Sequence, residues 1–189
     1  ISSATHLYPV VIVAINTGMR IGEILNLRWR DVDLANEFIH VEKSKSGKRR
    51  DIPMNALLTE TLKYGIKKPG SEYVFCEDNG KPFKNLRRSF TTALKKANID
   101  IGAPKTKERV TFHTCRHTFG SYLAMAGVSD FAICKLMGHS SVKVTERYAH
   151  LSPEYNRRAV GLLDKRFGKT NDTLMTLSEK DTSETKSEE

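Results

Sequence analysis

The amino-acid sequence predicts a mainly α-helical domain with one small antiparallel β-sheet, an α+β architecture. Two observations support this class. Apolar residues recur at helical spacing through most of the first 168 residues, and the period changes to that of short strands only between residues 38 and 52. The chain has 189 residues, 39% of them hydrophobic, which suits one globular domain.

Composition and charge disfavour a membrane span, indicate the redox compartment and suggest the chemical class of the partner. The longest apolar run, residues 10–15, is far shorter than the roughly 20 residues that cross a bilayer, and no basic segment of a signal peptide precedes it. Three widely spaced cysteines without a CxxC pair indicate a reducing compartment. Residues 1–168 hold 28 Lys+Arg against 16 Asp+Glu, a net charge of +12. This surplus favours a polyanionic partner, either a nucleic acid or an anionic membrane surface.

The first predicted helix ends near Asn16. Its buried face is expected to hold the apolar residues at i, i+3, i+4 and i+7, namely Tyr8, Val11, Ile12 and Ile15. Thr17 can cap the next helix. This places Arg20 at the start of that helix, where the helix dipole favours anions.

Two short strands, residues 38–42 and 49–52, are predicted next, with a turn rich in Ser, Gly and Lys between them. Five cations lie in or beside this turn: Lys43, Lys45, Lys48, Arg49 and Arg50. The hairpin is either a loop kept solvated by its charge or a finger that reaches phosphate groups. In the second case a lysine can also donate a proton to a leaving group.

The remainder is expected to be helical. Asn55 can cap a helix that buries Leu58 and Leu62, and apolar spacing predicts another helix over residues 83–97. Further helices are expected after Thr111, Ser129, Ser141 and Ser152–Pro153. The last helix either completes the core or packs on a neighbouring protomer. Residues 169–189 are polar and are expected to form a flexible tail, so the predicted domain spans residues 1–168.

Four polar motifs stand out: TGMRIGE (17–23), KSKSGKRR (43–50), HTCRH (113–117) and LMGHSSVKVTERYAHL (136–151). Each has an ordinary structural interpretation. Arg20 and Glu23, three residues apart, fit a surface ion pair, and a tyrosine such as Tyr148 more often fills a core than reacts. His113 and Arg116 lie on one helical face and can converge on one anionic group. His113 and His117 lie four residues apart and could form a metal-binding pair, but a metal site is disfavoured because no third ligand is evident.

The four motifs, in this order, resemble the signature boxes of the tyrosine recombinases, also called phage integrases, over roughly residues 5–165. One departure is that Phe112 stands where that family's HxxR helix often begins with proline, which is favoured there but not required. The resemblance implies the tyrosine recombinase catalytic-domain fold and a DNA strand transferase. It further implies cleavage and rejoining without metal, ATP or any other cofactor.

The resemblance also implies a role for each matching residue. Arg20 and Arg116 would bind the non-bridging oxygens of the scissile phosphate. Tyr148 would attack phosphorus to form a 3′-phosphotyrosine, and Lys45 would protonate the leaving 5′-oxygen. His113 and His139 would hydrogen-bond the phosphate and assist proton transfer, and Glu23 would orient the arginines. The other hairpin cations, Lys43, Lys48, Arg49 and Arg50, are expected to contact DNA.

The implied partner is double-stranded DNA. Members of this family carry another helical domain before this one and clamp the duplex between the two, so we expect weak DNA affinity from this piece alone. The full-length protein is expected to form a homotetramer on DNA, the isolated domain a monomer, and its location to be the cytoplasm of a prokaryote, at the nucleoid. Two alternatives are a type IB topoisomerase-like activity and a non-catalytic basic DNA-binding module.

Overall fold

The computed structural model describes residues 6–42, 49–64, 70–99, 109–145, 148 and 160–163. These fall into two compact units, of which the first holds residues 6–148 and the second the helical residues 160–163. Lys43, Lys45, Lys48, the predicted helix start at Ser152–Pro153 and the tail 169–189 lie outside the described residues. The first unit is mostly helical with one antiparallel sheet, which confirms the predicted fold class.

The N-terminal half contains two helices and the sheet. Helix α1 spans Leu7–Thr17 and α2 spans Ile21–Leu25. The strands are β1 (Val32–Asp33), β2 (Phe38–Val41) and β3 (Arg50–Pro53), in the antiparallel order β1-β2-β3. Strands β2 and β3 were predicted, whereas β1 was not, because a two-residue strand carries no alternation to detect.

The register of the hairpin decides which of its side chains face inward. Ile39 pairs with Ile52 and Val41 pairs with Arg50, and all four side chains are buried. Successive residues of a strand point to opposite faces. Arg50 therefore shares the inner face with Ile52, while Arg49 is exposed.

The remaining helices are α3 (Ala56–Tyr64), α4 (Arg87–Lys96), α5 (Phe112–Met125) and α6 (Asp130–Met137), followed by a 3₁₀ turn at Val142–Val144. Four of the predicted caps are confirmed, whereas Thr17 does not cap α2, because it is the last residue of α1 and Arg20 occupies the N-cap position. The Asn55 carboxamide oxygen accepts the N–H of Leu58 at 3.0 Å, and the hydroxyls of Thr111, Ser129 and Ser141 each accept a backbone N–H of the following segment.

The predicted buried face of α1 was wrong at Tyr8 and incomplete elsewhere, because Val11, Ile12 and Ile15 are only half-buried, although they do pack against the core. Tyr8 is 61% exposed, and the buried residues of the helix are Leu7, Pro9, Val10, Val13, Ala14 and Thr17. The cause is that α1 is apolar on nearly every side, so spacing alone does not select a face. Packing against α3 and α5 makes that selection.

The described core has two clusters of buried apolar residues. The larger one gathers α1, the inner face of the sheet, α3 and the start of α4. The smaller one lies between α5 and α6 and consists of Ala124, Ile133, Met137 and Tyr148. Tyr148 is therefore 4% exposed and packed among apolar neighbours. Among the described residues, no helix combines the length and apolar character that a membrane span requires.

Candidate active site

Gly18 ends α1 and opens the turn that presents Arg20. Its φ of 61° lies in the left-handed region, and a Cβ there would lie 2.5 Å from the Phe119 ring. Arg20 then adopts an extended conformation at the N-terminal boundary of α2. Its side chain is 36% exposed and is therefore partly accessible to solvent. Arg20 thus lies at the start of its helix, as predicted.

Arg116 lies in the second turn of α5 and is 3% exposed. Its Nη1 donates to the Gly18 carbonyl, and its Nη2 donates to the Met137 carbonyl at 2.6 Å. These two bonds join the turn before Arg20 to the end of α6. Arg116 therefore brings together two regions that are 119 residues apart in sequence, at positions 18 and 137.

Glu23 lies between Arg20 and Arg50. Its Oε1 accepts from Arg20 Nη1 at 3.1 Å and from Arg50 Nη1 at 3.3 Å. Its Oε2 accepts from Arg50 Nη2 at 2.6 Å and from the backbone N–H of Arg20 at 2.9 Å. The Arg20–Glu23 pair is therefore one part of a larger network, which we call the arginine cluster: Arg20, Glu23, Arg50 and Arg116.

The C-terminal end of α6 supplies three acceptors to this cluster. Arg50 Nε donates to Leu136 O at 2.9 Å, Arg116 Nη2 donates to Met137 O at 2.6 Å, and Arg20 Nη2 donates to Gly138 O at 3.3 Å. The last carbonyls of a helix lack intrahelical partners and carry the negative end of its dipole. Three guanidiniums therefore converge on three successive carbonyls.

The electrostatic balance of the cluster favours an anion. Three guanidiniums surround one carboxylate, which leaves two positive charges in excess. Burial and the nearby charges of Arg20 and Arg50 lower the pKa of Arg116 to about 10, against the raising effects of Glu23 and Tyr148. Burial acts to raise the pKa of Glu23, but its bonds with Arg50 and Arg20 outweigh this effect and lower it. A phosphate group would relieve the repulsion among the three cations.

Tyr148 lies near Arg116 of the cluster. Its hydroxyl lies 2.8 Å from His117 Nδ1, and its ring lies against Gly120, where a Cβ would meet Cζ at 2.8 Å. Tyr148 is close enough to Arg116 for its charge to raise the pKa of that guanidinium. The contact with His117 and the packing against Gly120 therefore both hold the phenol near Arg116.

The other two predicted histidines lie at the edges of this arrangement. His113 is exposed in the first turn of α5, and its ring meets the His117 ring edge to face, with centroids 4.5 Å apart. His139 follows the left-handed Gly138, and its Nδ1 lies 2.9 Å from the hydroxyl of buried Thr145. His113 lies at the start of α5, the helix that bears Arg116, and His139 lies directly after the C-cap of α6.

Two residues differ from their predicted roles. Arg50 is 4% exposed on its side chain, which corrects the expectation of a guanidinium displayed at the hairpin surface. His117, considered from sequence only as half of a metal pair, is a partner of the Tyr148 hydroxyl. Strand parity could have identified the first, because Arg50 lies two residues from apolar Ile52. For His117, the only signal in the sequence was its position four residues after His113.

Burial raises the pKa of the Cys115 thiol, which keeps the sulfur protonated and unreactive. Over the part of the chain that the structure describes, no group of three or more His, Cys, Asp or Glu side chains is arranged to hold a metal ion.

Comparisons with known proteins identify the family of this chain. The model of the Phage integrase family matches residues 2–155, and the chain belongs to that family. It is 31% identical over 175 residues to the integrase of Salmonella phage P22, covering 86% of this chain and 43% of the relative. It is 31% identical over 153 residues to the tyrosine recombinase XerA of Thermococcus onnurineus, covering 79% and 52%. The chain thus spans about half the length of the curated relatives it matches.

Solved structures agree with this assignment. The Tn1549 transposon integrase in complex with transposon right end DNA matches with a TM-score of 0.67 and 29% identity, over 84% of this chain and 58% of that one. A crystal structure of XerA recombinase matches with a TM-score of 0.64 and 30% identity, over 85% and 58%. The fold is that of a tyrosine recombinase catalytic domain.

Proposed function

We propose that this chain carries the catalytic domain of a site-specific DNA recombinase or integrase. In the proposed reaction, the Tyr148 Oη–phosphorus bond forms as the bond between phosphorus and the 5′-oxygen breaks. The leaving oxygen takes a proton from Lys45, and Arg20 and Arg116 bind the non-bridging oxygens. His113 and His139 hydrogen-bond the phosphate. Rejoining is the same step in reverse, with a 5′-hydroxyl from another strand as the nucleophile.

The observation that supports this proposal most directly is the convergence of Arg20 and Arg116 beside a buried tyrosine. A phosphodiester gathers negative charge on its oxygens in the transition state, and fixed guanidiniums stabilise that charge without reorganisation. The cluster already has two positive charges in excess. Free tyrosine has a pKa near about 10, so nearby positive charge is what makes its phenolate accessible as a nucleophile.

The burial of Tyr148 adds a step to the proposal. With a side chain 4% exposed, the phenol meets a phosphate only after it leaves its slot between α5 and α6. The hydroxyl then breaks its 2.8 Å hydrogen bond with His117 and forms its new bond to the phosphorus atom. His117 can accept the phenolic proton as the hydroxyl departs, in the tautomer that keeps its own proton on Nε2.

DNA as the partner is supported by the relatives as well as by charge. The Tn1549 integrase structures are complexes with transposon DNA. Arg49, which is 66% exposed on its side chain, is a described cation of the hairpin suited to a phosphate contact, and Lys43 and Lys48 of the same hairpin stay predicted contacts. Tetramer assembly, location at the nucleoid and the division into a domain of residues 1–168 with a tail of 169–189 also remain predictions.

The test is covalent trapping with the full 189-residue chain. A library of duplexes with a randomised centre carries a nick beside each candidate scissile phosphate, so that the short cleaved fragment diffuses away and the adduct accumulates. We expect a DNA–protein adduct that survives denaturation, with peptide mapping to Tyr148. Tyr148→Phe should form no adduct while its duplex affinity is unchanged, because only the attacking oxygen is removed.

The outcomes separate the alternatives. Duplex binding without any adduct would leave only a DNA-binding module. Adduct formation with relaxation of a supercoiled plasmid, but without recombinant products from the full-length protein, would instead favour a topoisomerase-like activity.

Lys45 has its own chemical test. Lys45→Ala should cleave an ordinary duplex slowly and recover on a substrate in which sulfur replaces the leaving 5′-oxygen, since a thiolate leaves without protonation. Tyr148→Phe is the control that the same substrate cannot rescue. Absence of recovery in Lys45→Ala would assign the general acid to another residue.

A further inference from the structure

Arg50 differs from the adjacent cation of the same hairpin because its guanidinium points inward. Its side chain is 4% exposed, whereas that of Arg49 is 66% exposed. Strand β3 places the two residues on opposite faces of the sheet. A cation buried to this degree needs acceptors around it.

Every nitrogen of the Arg50 guanidinium has an acceptor. Nη2 and Nη1 donate to the two oxygens of Glu23 at 2.6 and 3.3 Å, and Nε donates to Leu136 O at 2.9 Å. The paired bonds to one carboxylate fix both its position and its plane. Because the same carboxylate binds the side chain and the backbone of Arg20, Arg50 controls the group that orients Arg20.

Arg50 also fixes the end of α6. It binds the first of the three carbonyls that the cluster shares, and Arg116 binds the second. A shift of the α6 terminus would therefore move the acceptor of Arg116 and that of Arg20 together. Arg50 thus reaches both phosphate-binding candidates, one through Glu23 and the other through α6.

The glycine after α6 permits this contact. A Cβ at Gly138 would lie 2.8 Å from Arg50 Nη1 and 3.1 Å from its Cδ. Gly138 also has a φ of 65°, which glycine adopts without steric cost. The next residue is His139, so the turn that carries this histidine packs directly on Arg50. A side chain at position 138 would separate the two.

We propose that Arg50 is a positioning residue for strand cleavage, which aligns Arg20 and Arg116 through Glu23 and the end of α6, and is not a DNA contact. The inference rests on the proposed function for its catalytic readout. It assigns Arg49 and Arg50, neighbours in one strand, to separate tasks. Arg49 meets DNA, and Arg50 holds the pocket in shape.

The kinetic test separates alignment from binding. The DNA captured by wild type is used at saturation to measure the single-turnover rate of adduct formation, and its Kd is measured by anisotropy. Arg50→Lys keeps the charge but loses the two-pronged contact with Glu23, and we expect the rate to fall by about 100-fold, the order that small misplacements cost, with an unchanged Kd. Arg49→Met should instead weaken binding. Arg30→Met, another exposed arginine, is the matched control for loss of one positive charge and should change neither quantity.

A second measurement does not depend on DNA. Inorganic sulfate should raise the melting temperature of wild type, because a ligand that binds only the folded state stabilises it. Arg50→Met should lose most of that rise, and Arg49→Met should keep it. Since removing one partner of a buried pair destabilises a protein, each variant is checked by circular dichroism. The double variant Glu23→Gln/Arg50→Met also removes the carboxylate charge, which in Arg50→Met keeps only its contact with Arg20. The effects of Glu23→Gln and Arg50→Met on the rate of adduct formation should be non-additive, since both substitutions break the contact between Arg50 and Glu23.

These readouts distinguish the two proposals. No adduct in wild type would reject the proposed function, while the sulfate titration would still test whether Arg50 aligns the two arginines. Three results would each overturn the role of Arg50. They are a wild-type rate of adduct formation in Arg50→Lys, a defect of Arg50→Lys that affects only Kd, and a sulfate-induced rise in melting temperature that is undiminished in Arg50→Met.

Discussion

The two halves of the candidate site are held by different forces. The arginine cluster is fixed by hydrogen bonds to a carboxylate and to three consecutive backbone carbonyls. The Tyr148 side chain packs its ring against Gly120, and its hydroxyl lies within hydrogen-bond distance of His117. A cation cannot be buried without acceptors, whereas a neutral phenol needs only close packing and one polar partner.

This difference has a mechanistic consequence. Moving an arginine of the cluster would strand charges in the interior, so the phosphate-binding half is expected to stay in place when DNA binds. Moving Tyr148 costs a neutral hydrogen bond and some buried apolar area, each of which is small by comparison. In the proposed reaction, the protein would therefore combine a preformed anion pocket with a tyrosine that can be displaced.

The comparison predicts the largest effect for the arginine half. Arg116→Lys should lower the rate of adduct formation by roughly 10³-fold, because one ammonium cannot bind the Gly18 and Met137 carbonyls and also present a fork to phosphate. The rate is measured by single-turnover trapping on the captured DNA. Arg30→Lys, at an exposed position, is the control. A near-normal rate in Arg116→Lys would contradict the role given to Arg116.

The packing of the nucleophile half is tested at Gly120. Gly120→Ala places a methyl group 2.8 Å from Tyr148 Cζ, so the ring must shift, and we expect a stability loss of about 1–3 kcal/mol. Urea unfolding measures the stability, and acetylation of Tyr148 followed by mass spectrometry measures its exposure, which should rise. Gly22→Ala lies in a helix with open space around it and should be neutral or slightly stabilising. Equal behaviour of the two variants would contradict the slot described for the phenol.

The hydrogen bond of the nucleophile half is tested by a double-mutant cycle. His117→Ala and Tyr148→Phe each break the bond between Nδ1 and the hydroxyl, and their coupling in unfolding free energy should be about 1 kcal/mol. Urea unfolding of the wild type and the three variants gives the value. A cycle between His113→Ala and Tyr148→Phe is the reference and should give a smaller coupling. Strict additivity for His117 would remove this bond from the account of Tyr148.

The smallest effect concerns pH. The pKa of Glu23 is lowered below its ordinary value of 4.5, so the folded state binds its proton more weakly than the unfolded state does. The stability from this carboxylate is therefore present above about pH 4.5 and is lost as pH falls through the lower folded pKa. Glu23→Gln should be less stable at pH 7, and its unfolding free energy should approach that of wild type below pH 4, a convergence of order 1 kcal/mol. Parallel curves would show that Glu23 carries no such linkage.

Local signals in the sequence predicted much of the fold. The caps at Asn55, Thr111 and Ser129 act within three residues of themselves, so neighbouring residue types identify them. Period-two alternation located β2 and β3. The face of α1 could not be predicted in the same way, because a helix that is apolar all round obtains its orientation only from what packs against it.

The same distinction between local sequence signals and tertiary packing applies to the candidate site. The sequence by itself determined which residues are candidates for the site, since Arg20, His113, Arg116, His139 and Tyr148 lie in motifs whose order and spacing can be read along the chain. Only the tertiary structure decided that Arg50 turns inward to Glu23 and that His117 meets Tyr148, because these contacts join residues 27 and 31 positions apart. The physical reason is that buried charges and hydroxyls take whichever acceptors packing brings near them, here the carbonyls at the end of α6, and no local pattern encodes that meeting.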